Sequence, residues 1–157
     1  MAMKMLVESV QKLVSEELER ASQQHGAVHA SMAEAYAVML EELEETKERV
    51  EEAENLLNGD FWSTVRTDDP TLAKQHTQAI FNRSVLAACE SIQLAAMAAK
   101  TLRTIDRLKC QRAKESIEKS VSEIEKEDWP DCIKELRIKH EVDFILSIFG
   151  LTTEELK

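Results

Sequence analysis

The sequence predicts an all-α protein, and three observations carry that prediction. Only three Gly and two Pro interrupt 157 residues, which leaves few places for the chain to turn. Ala, Glu, Lys and Leu, all strong helix formers, dominate the composition. The alternating β-branched runs that mark strands are absent. The length suits one domain with an appendage and is enough for a core.

The first helix is predicted over residues 3 to 24. Met3, Leu6, Val7, Val10, Leu13, Val14 and Leu18 recur at the i, i+3, i+4, i+7 spacing of an amphipathic helix. Gln24-His25-Gly26 ends it, with Gly26 as the C′ residue. His25 and His29 flank this turn and read as solvated loop histidines.

Ser31 or His29 opens a second helix that runs to about Asn58-Gly59. Its expected core stripe is Met32, Tyr36, Met39, Leu43, Val50 and Leu57. On the helical wheel Glu42 lies about 80° from the centre of that stripe and Glu45 about 140°, while Glu41 points away. On spacing alone this acidic run, continued by Glu44, Glu48, Glu51, Glu52 and Glu54, reads as a solvated face.

Asn58-Gly59-Asp60 is expected to break the helix. Phe61 and Trp62 follow in a flap or short helix that packs its aromatic pair on the bundle, with rings able to stack on a base. Asp69 as N-cap and Pro70 at N1 then start the third helix.

That helix runs from Pro70 past Arg103, with an apolar sector of Ile80, Leu86, Ala87, Leu94, Met97 and Ala98. Glu90 falls within about 20° of the sector's centre, with Arg83 beside it and Gln93 about 60–80° to one side. A carboxylate in the middle of an apolar stripe is costly unless paired, protonated or bound to a cation. Two readings therefore stand: a buried Glu90–Arg83 pair, or a cation site.

No strong stop appears before Trp129-Pro130, so the pattern leaves open whether the helix continues to about Glu127 or kinks near Lys109. A fresh helix begins at Pro130, carries Ile133, Leu136, Ile138, Val142, Ile145, Leu146 and Phe149, and ends at Gly150. Thr152 through Glu155 fits a capping box for one last turn. The division expected is residues 1–108 as the bundle and 109–157 as a helical arm packed on the bundle or on a partner chain.

A net charge of −10 argues against a nucleic-acid partner, which needs a basic face. An acidic protein still binds nucleotides when divalent cations bridge the negative charges. No segment approaches the ~18 apolar residues of a membrane span, and the N-terminal residues turn amphipathic too soon for a signal peptide. Cys89, Cys110 and Cys132 are odd in number and widely spaced, which fits reduced thiols in a cytoplasmic protein. Surplus apolar stripes predict a homo-oligomer, a dimer or a tetramer. No Glu-x-x-His pair supports a ferritin-type di-iron bundle.

The segment from Glu34 to Glu45 resembles the first metal-binding helix of the MazG-like all-α nucleoside triphosphate pyrophosphohydrolases, and residues 16 to 100 are similar to phage and prophage members. Glu41, Glu42 and Glu45 match a Glu-Glu-x-x-Glu motif. Glu90 matches the first carboxylate of a Glu-x-x-Asp motif, with Gln93 in place of the Asp. The resemblance implies a bundle of long antiparallel helices that binds Mg²⁺ or Mn²⁺ and cleaves a nucleotide to its monophosphate and pyrophosphate. The implied metal set is Glu41, Glu42, Glu45, Glu90 and Gln93, with Glu42 and Glu45 catalytic. Arg83, Lys100 and Trp62 are the implied substrate contacts. Gln93 offers only an amide oxygen, so the alternative is a catalytically inactive fold that binds nucleotide or protein. An unrelated helical interaction protein with a solvated acidic helix is the third reading.

Overall fold

The computed structural model describes residues 2–156, and among them the secondary structure is entirely helical. The elements are α1 (Ala2–His25), α2 (Met32–Asn55), a π-helix (Leu56–Phe61), α3 (Trp62–Thr67), α4 (Pro70–Glu125) and α5 (Asp131–Phe149). The chain forms two compact units, Met1–Arg103 and Thr104–Lys157, and α4 contributes to both.

Each helix end has a local cause. Gly26, at φ +80°, closes α1 in a conformation that costs glycine little. Ser31 is the N-cap of α2: its hydroxyl accepts the Glu34 N–H at 3.1 Å, and Glu34 reaches back to accept the Ala30 N–H at 2.6 Å. Asp69 caps α4 by accepting the N–H groups of Thr71 and Leu72 at 2.8 and 3.1 Å. Gly150, at φ +63°, ends α5, and the Leu151 N–H bonds to the Leu146 carbonyl at 2.9 Å. The Glu155 carboxylate accepts both the N–H and the hydroxyl of Thr152. These two bonds hold its pKa below the usual carboxylate value.

The expected break at Asn58-Gly59-Asp60 does not occur. The backbone stays helical through a π segment into α3, and Gly59 is not among the glycines at positive φ. The chain turns instead at Asp68, which takes the left-handed conformation that Asp tolerates better than most residues (φ 54°). The aromatic pair is not packed away as expected: Trp62 remains 59% exposed, and Phe61 is half-buried.

The first unit's core is small. Leu18 and Ala21 of α1 meet Ala96 and Met97 of α4, with Val14, Val38, Met39 and Ala99 packed around them. On α2 the inward face is rotated from the expected stripe. Of that stripe Met39 and Leu43 are half-buried, but Met32, Tyr36, Val50 and Leu57 are exposed, whereas Ala35 is buried and Val38, Glu42, Thr46, Arg49 and Glu52 are half-buried. On α4, Ala87 and Met97 are buried as expected, but Leu86 and Ala98 are exposed. The α1 stripe divides: Leu18 is core, and Met3, Leu6, Val7, Val10 and Leu13 are exposed.

α4 runs without a break for 56 residues, which resolves the choice left open by the pattern. It also holds an 18-residue window of mean hydropathy 1.3, so by length and composition alone one helix passes the test for a membrane span, contrary to expectation. Only 28% of that window is buried.

In the second unit Thr104, Ala113, Ile124, Ile145 and Leu146 are buried. The turn between α4 and α5 is tied by Arg137, which lies 4.6 Å above the Trp129 ring and 3.4 Å from the Glu127 carboxylate. The Lys134 ammonium bonds to the Glu125 carbonyl at 3.1 Å, a cation at the C-terminus of α4. The three cysteines are free thiols.

Candidate metal and nucleotide site

The rotation of α2 decides the site. Because Ala35, Val38 and Met39 turn inward, the residue one turn further on, Glu42, turns inward with them. Glu45 follows three residues later on the same side, and α4 supplies Glu90 from the middle of its apolar sector. One carboxylate oxygen from each of these three residues lies within 4.8 Å of the other two. Glu42 and Glu90 are half-buried and Glu45 is exposed.

Glu42 is the strained member electrostatically. Its Oε2 atom is shielded from solvent and has no hydrogen-bond partner. Burial raises its pKa above the usual carboxylate value, and the negative charges of Glu45, Glu90, Glu41 and Glu17 raise it further. A carboxylate so placed gains from a proton or a cation. Divalent magnesium and manganese take hard oxygen ligands of this type, so the donor set fits such an ion.

Glu42 also lines a cleft of about 320 Å³ with Glu41, Gln93 and Lys100. Lys100 is only 3% exposed, and its ammonium donates to the His25 carbonyl at 3.4 Å. His29 is 1% exposed at the same cleft; burial, then the Lys100 charge, lowers its pKa. From α1 come Glu17 and Arg20, joined by two hydrogen bonds, and Arg20 also reaches Gln24 at 2.8 Å. The hydrogen bond from Arg20 holds the Glu17 carboxyl below its usual pKa.

The residues expected from the sequence are thus divided. Glu42, Glu45 and Glu90 come together, and Glu41, Gln93 and Lys100 line the adjoining cleft. Arg83 makes its ion pair with Glu52 at 3.3 Å, so the alternative Glu90–Arg83 pair is not what anchors it. Trp62 lines a separate shallow depression with Leu57, Asn58, Phe61 and Val65. His29, expected as a solvated loop residue, is buried in the cleft beside Lys100.

No family model matches this chain, nor does any curated protein or solved structure.

Sequence reasoning passed over Glu17, and it read Glu52 only as part of a solvated acidic face. Glu17 carried the same signal as Glu90, since it stands between Val14, Leu18 and Ala21 on the inward face of α1. Arg49 and Glu52 lay at helical spacing from Glu42, and Arg49 bonds to Glu52 at 3.1 Å.

Proposed function

We propose that the first unit is a MazG-like, metal-dependent nucleotide pyrophosphohydrolase that converts a (d)NTP to its monophosphate and pyrophosphate. The observation that carries this reading is the Glu42–Glu45–Glu90 cluster, with a shielded, unbonded oxygen on Glu42 beside a cleft. Glu42, Glu45 and Glu90 would hold Mg²⁺ or Mn²⁺. When bound, the ion supplies charge neutralisation at the phosphates and acidifies a water. In this reading Glu42 and Glu45 orient the water that attacks the α-phosphorus, and a carboxylate takes its proton as the α–β phosphoanhydride breaks. Lys100 supplies positive charge from the cleft wall to the phosphate chain.

Arg83 and Trp62 play no part in this version, since one holds Glu52 and the other stands in a different depression. Self-association belongs to the reading. Met3, Leu6, Val7, Val10 and Leu13 form one exposed stripe on α1 that a second copy would cover.

The test is pyrophosphate release from a panel of dNTPs and NTPs with Mg²⁺ or Mn²⁺, using the native chain, Glu42→Gln and Glu90→Gln. Turnover in the native chain that disappears in both variants supports the enzyme and names its substrate. Nucleotide-dependent stabilisation without turnover favours the second reading, an inactive binding module. The presence of Gln93 at the cleft, where the family motif has a carboxylate, is the observation behind that alternative.

A further inference from the structure

α5 is apolar on two opposite faces. Its inner face, Ile138, Val142, Ile145, Leu146 and Phe149, is buried or half-buried. Its outer face carries Ile133, Leu136, Phe144 and Ile148 at 45, 68, 54 and 63% exposure, with exposed His140 among them. On the helical wheel these five residues, with Arg137 and Ser147 between them, fall within about 60° either side of one line. A surface helix requires one apolar face, and a second one calls for cover.

We propose that this outer face joins two copies of the chain, with α5 packed antiparallel on α5 and the two-fold axis passing at His140. The spacing selects the occupant. Leu136 and Phe144 stand four residues either side of His140, and Ile133 and Ile148 stand seven and eight residues away. Antiparallel pairing about His140 sets Leu136 against Phe144 of the second copy and Ile133 against its Ile148. Each contact then occurs twice, as an isologous interface requires.

The charges agree with that direction. Residues 131–139 hold Lys134, Arg137 and Lys139 against Asp131 and Glu135, a net charge of +1, whereas residues 141–149 hold Glu141 and Asp143 and no cation, a net charge of −2. Reversed pairing sets the net-positive half of one helix beside the net-negative half of the other. Parallel pairing would oppose each acidic half to itself. A contact between two 19-residue helices buries about 1,000 Å² in total, the lower edge of specific interfaces. An interface of that size makes the dimer a reversible one.

The test uses the full chain with Cys89, Cys110 and Cys132 replaced by Ser and one new cysteine added. His140→Cys places two thiols on the axis, while Leu136→Cys places them about 12 Å apart along the helices, beyond disulfide reach. Mild oxidation is expected to link His140→Cys into dimers several-fold more than Leu136→Cys, and adding Phe144→Glu abolishes the link. Phe144→Glu in the chain with its native cysteines, with helical content unchanged, lowers the sedimenting mass by one step. Association through α1 does not mimic this crosslink, nor does loss of nucleotide turnover affect it. Equal linking at both positions, or linking that survives Phe144→Glu, overturns the proposal. A chain that neither crosslinks nor dimerises also overturns it, and assigns the face to a different protein or to the chain's own first unit.

Discussion

Glu42 on α2 and Glu90 on α4 hold carboxylate oxygens within 4.8 Å of each other, and Glu45 closes the triangle. Like charges this close, partly withdrawn from water, oppose folding unless a proton or a cation intervenes. Excess Mg²⁺ is therefore expected to raise the melting temperature of the native chain, and a chelator to reverse it. Glu42→Gln and Glu90→Gln lose most of that response. Without divalent ions the order inverts: Glu42→Gln melts about 2–4 °C above the native chain, because a charge without a counterion has gone. Thermal melts of the three proteins with and without Mg²⁺ decide the point. A native chain indifferent to both Mg²⁺ and Mn²⁺ would sink the metal reading.

Buried His29 and half-buried Glu42 give the metal-free protein opposite pH responses. Glu42 has a raised pKa, so its contribution is fully present below the ordinary value of 4.5 and is lost as pH rises through the folded value. His29 has a lowered pKa. Its contribution is present above the ordinary value of 6.5 and is lost as pH falls toward and through the folded value. His29→Gln is expected to flatten the stability profile just below pH 6.5, and Glu42→Gln to flatten it just above pH 4.5. Denaturant midpoints across this range are the measurement; parallel profiles for native chain and variants would refute the assignment.

Helix type was legible because composition and periodicity act locally. The caps at Ser31 and Asp69 and the glycines at Gly26 and Gly150 were readable for the same reason. The orientation of α2 was not. Tyr36 and Val50 point outward while Glu42 and Glu52 turn inward, because the small Ala35 allows close approach and the facing helix offers Arg83 to Glu52. A wheel that ranks residues by hydrophobicity cannot see a polar stripe matched across two helices. Glu90 was legible because it interrupted an apolar sector. The continuation of the helix through Gly59 was hidden, since an Asn-Gly-Asp run signals a turn wherever tertiary packing does not override it.

The small core concentrates stability in few side chains. Leu18→Ala and Met97→Ala are each expected to cost about 2–4 kcal/mol, the range for large-to-small changes in packed sites. Both residues are over 90% buried and share one cluster. Tyr36→Ala, by contrast, shifts stability by less than about 0.5 kcal/mol, because the residue is 66% exposed. Urea unfolding of the three variants checks this; a large loss at Tyr36 would mean that another chain covers this face of α2.

Arg83 and Glu52 connect α4 to α2 at 3.3 Å, and Arg49 donates to the same Glu52 carboxylate at 3.1 Å. Both partners of the inter-helix pair keep substantial exposure, 43% and 32% of their side chains. Solvent screening therefore limits the coupling to about 0.5–1 kcal/mol. A double-mutant cycle with Arg83→Gln and Glu52→Gln should return a coupling of that size and favourable sign. The matching cycle with Arg83→Gln and Glu90→Gln should return near zero, because Arg83 is engaged elsewhere. If the second cycle gave the larger coupling, Arg83 would be neutralising Glu90. The carboxylate cluster would then carry its own counterion, and the Mg²⁺ response of the native chain should be correspondingly weak.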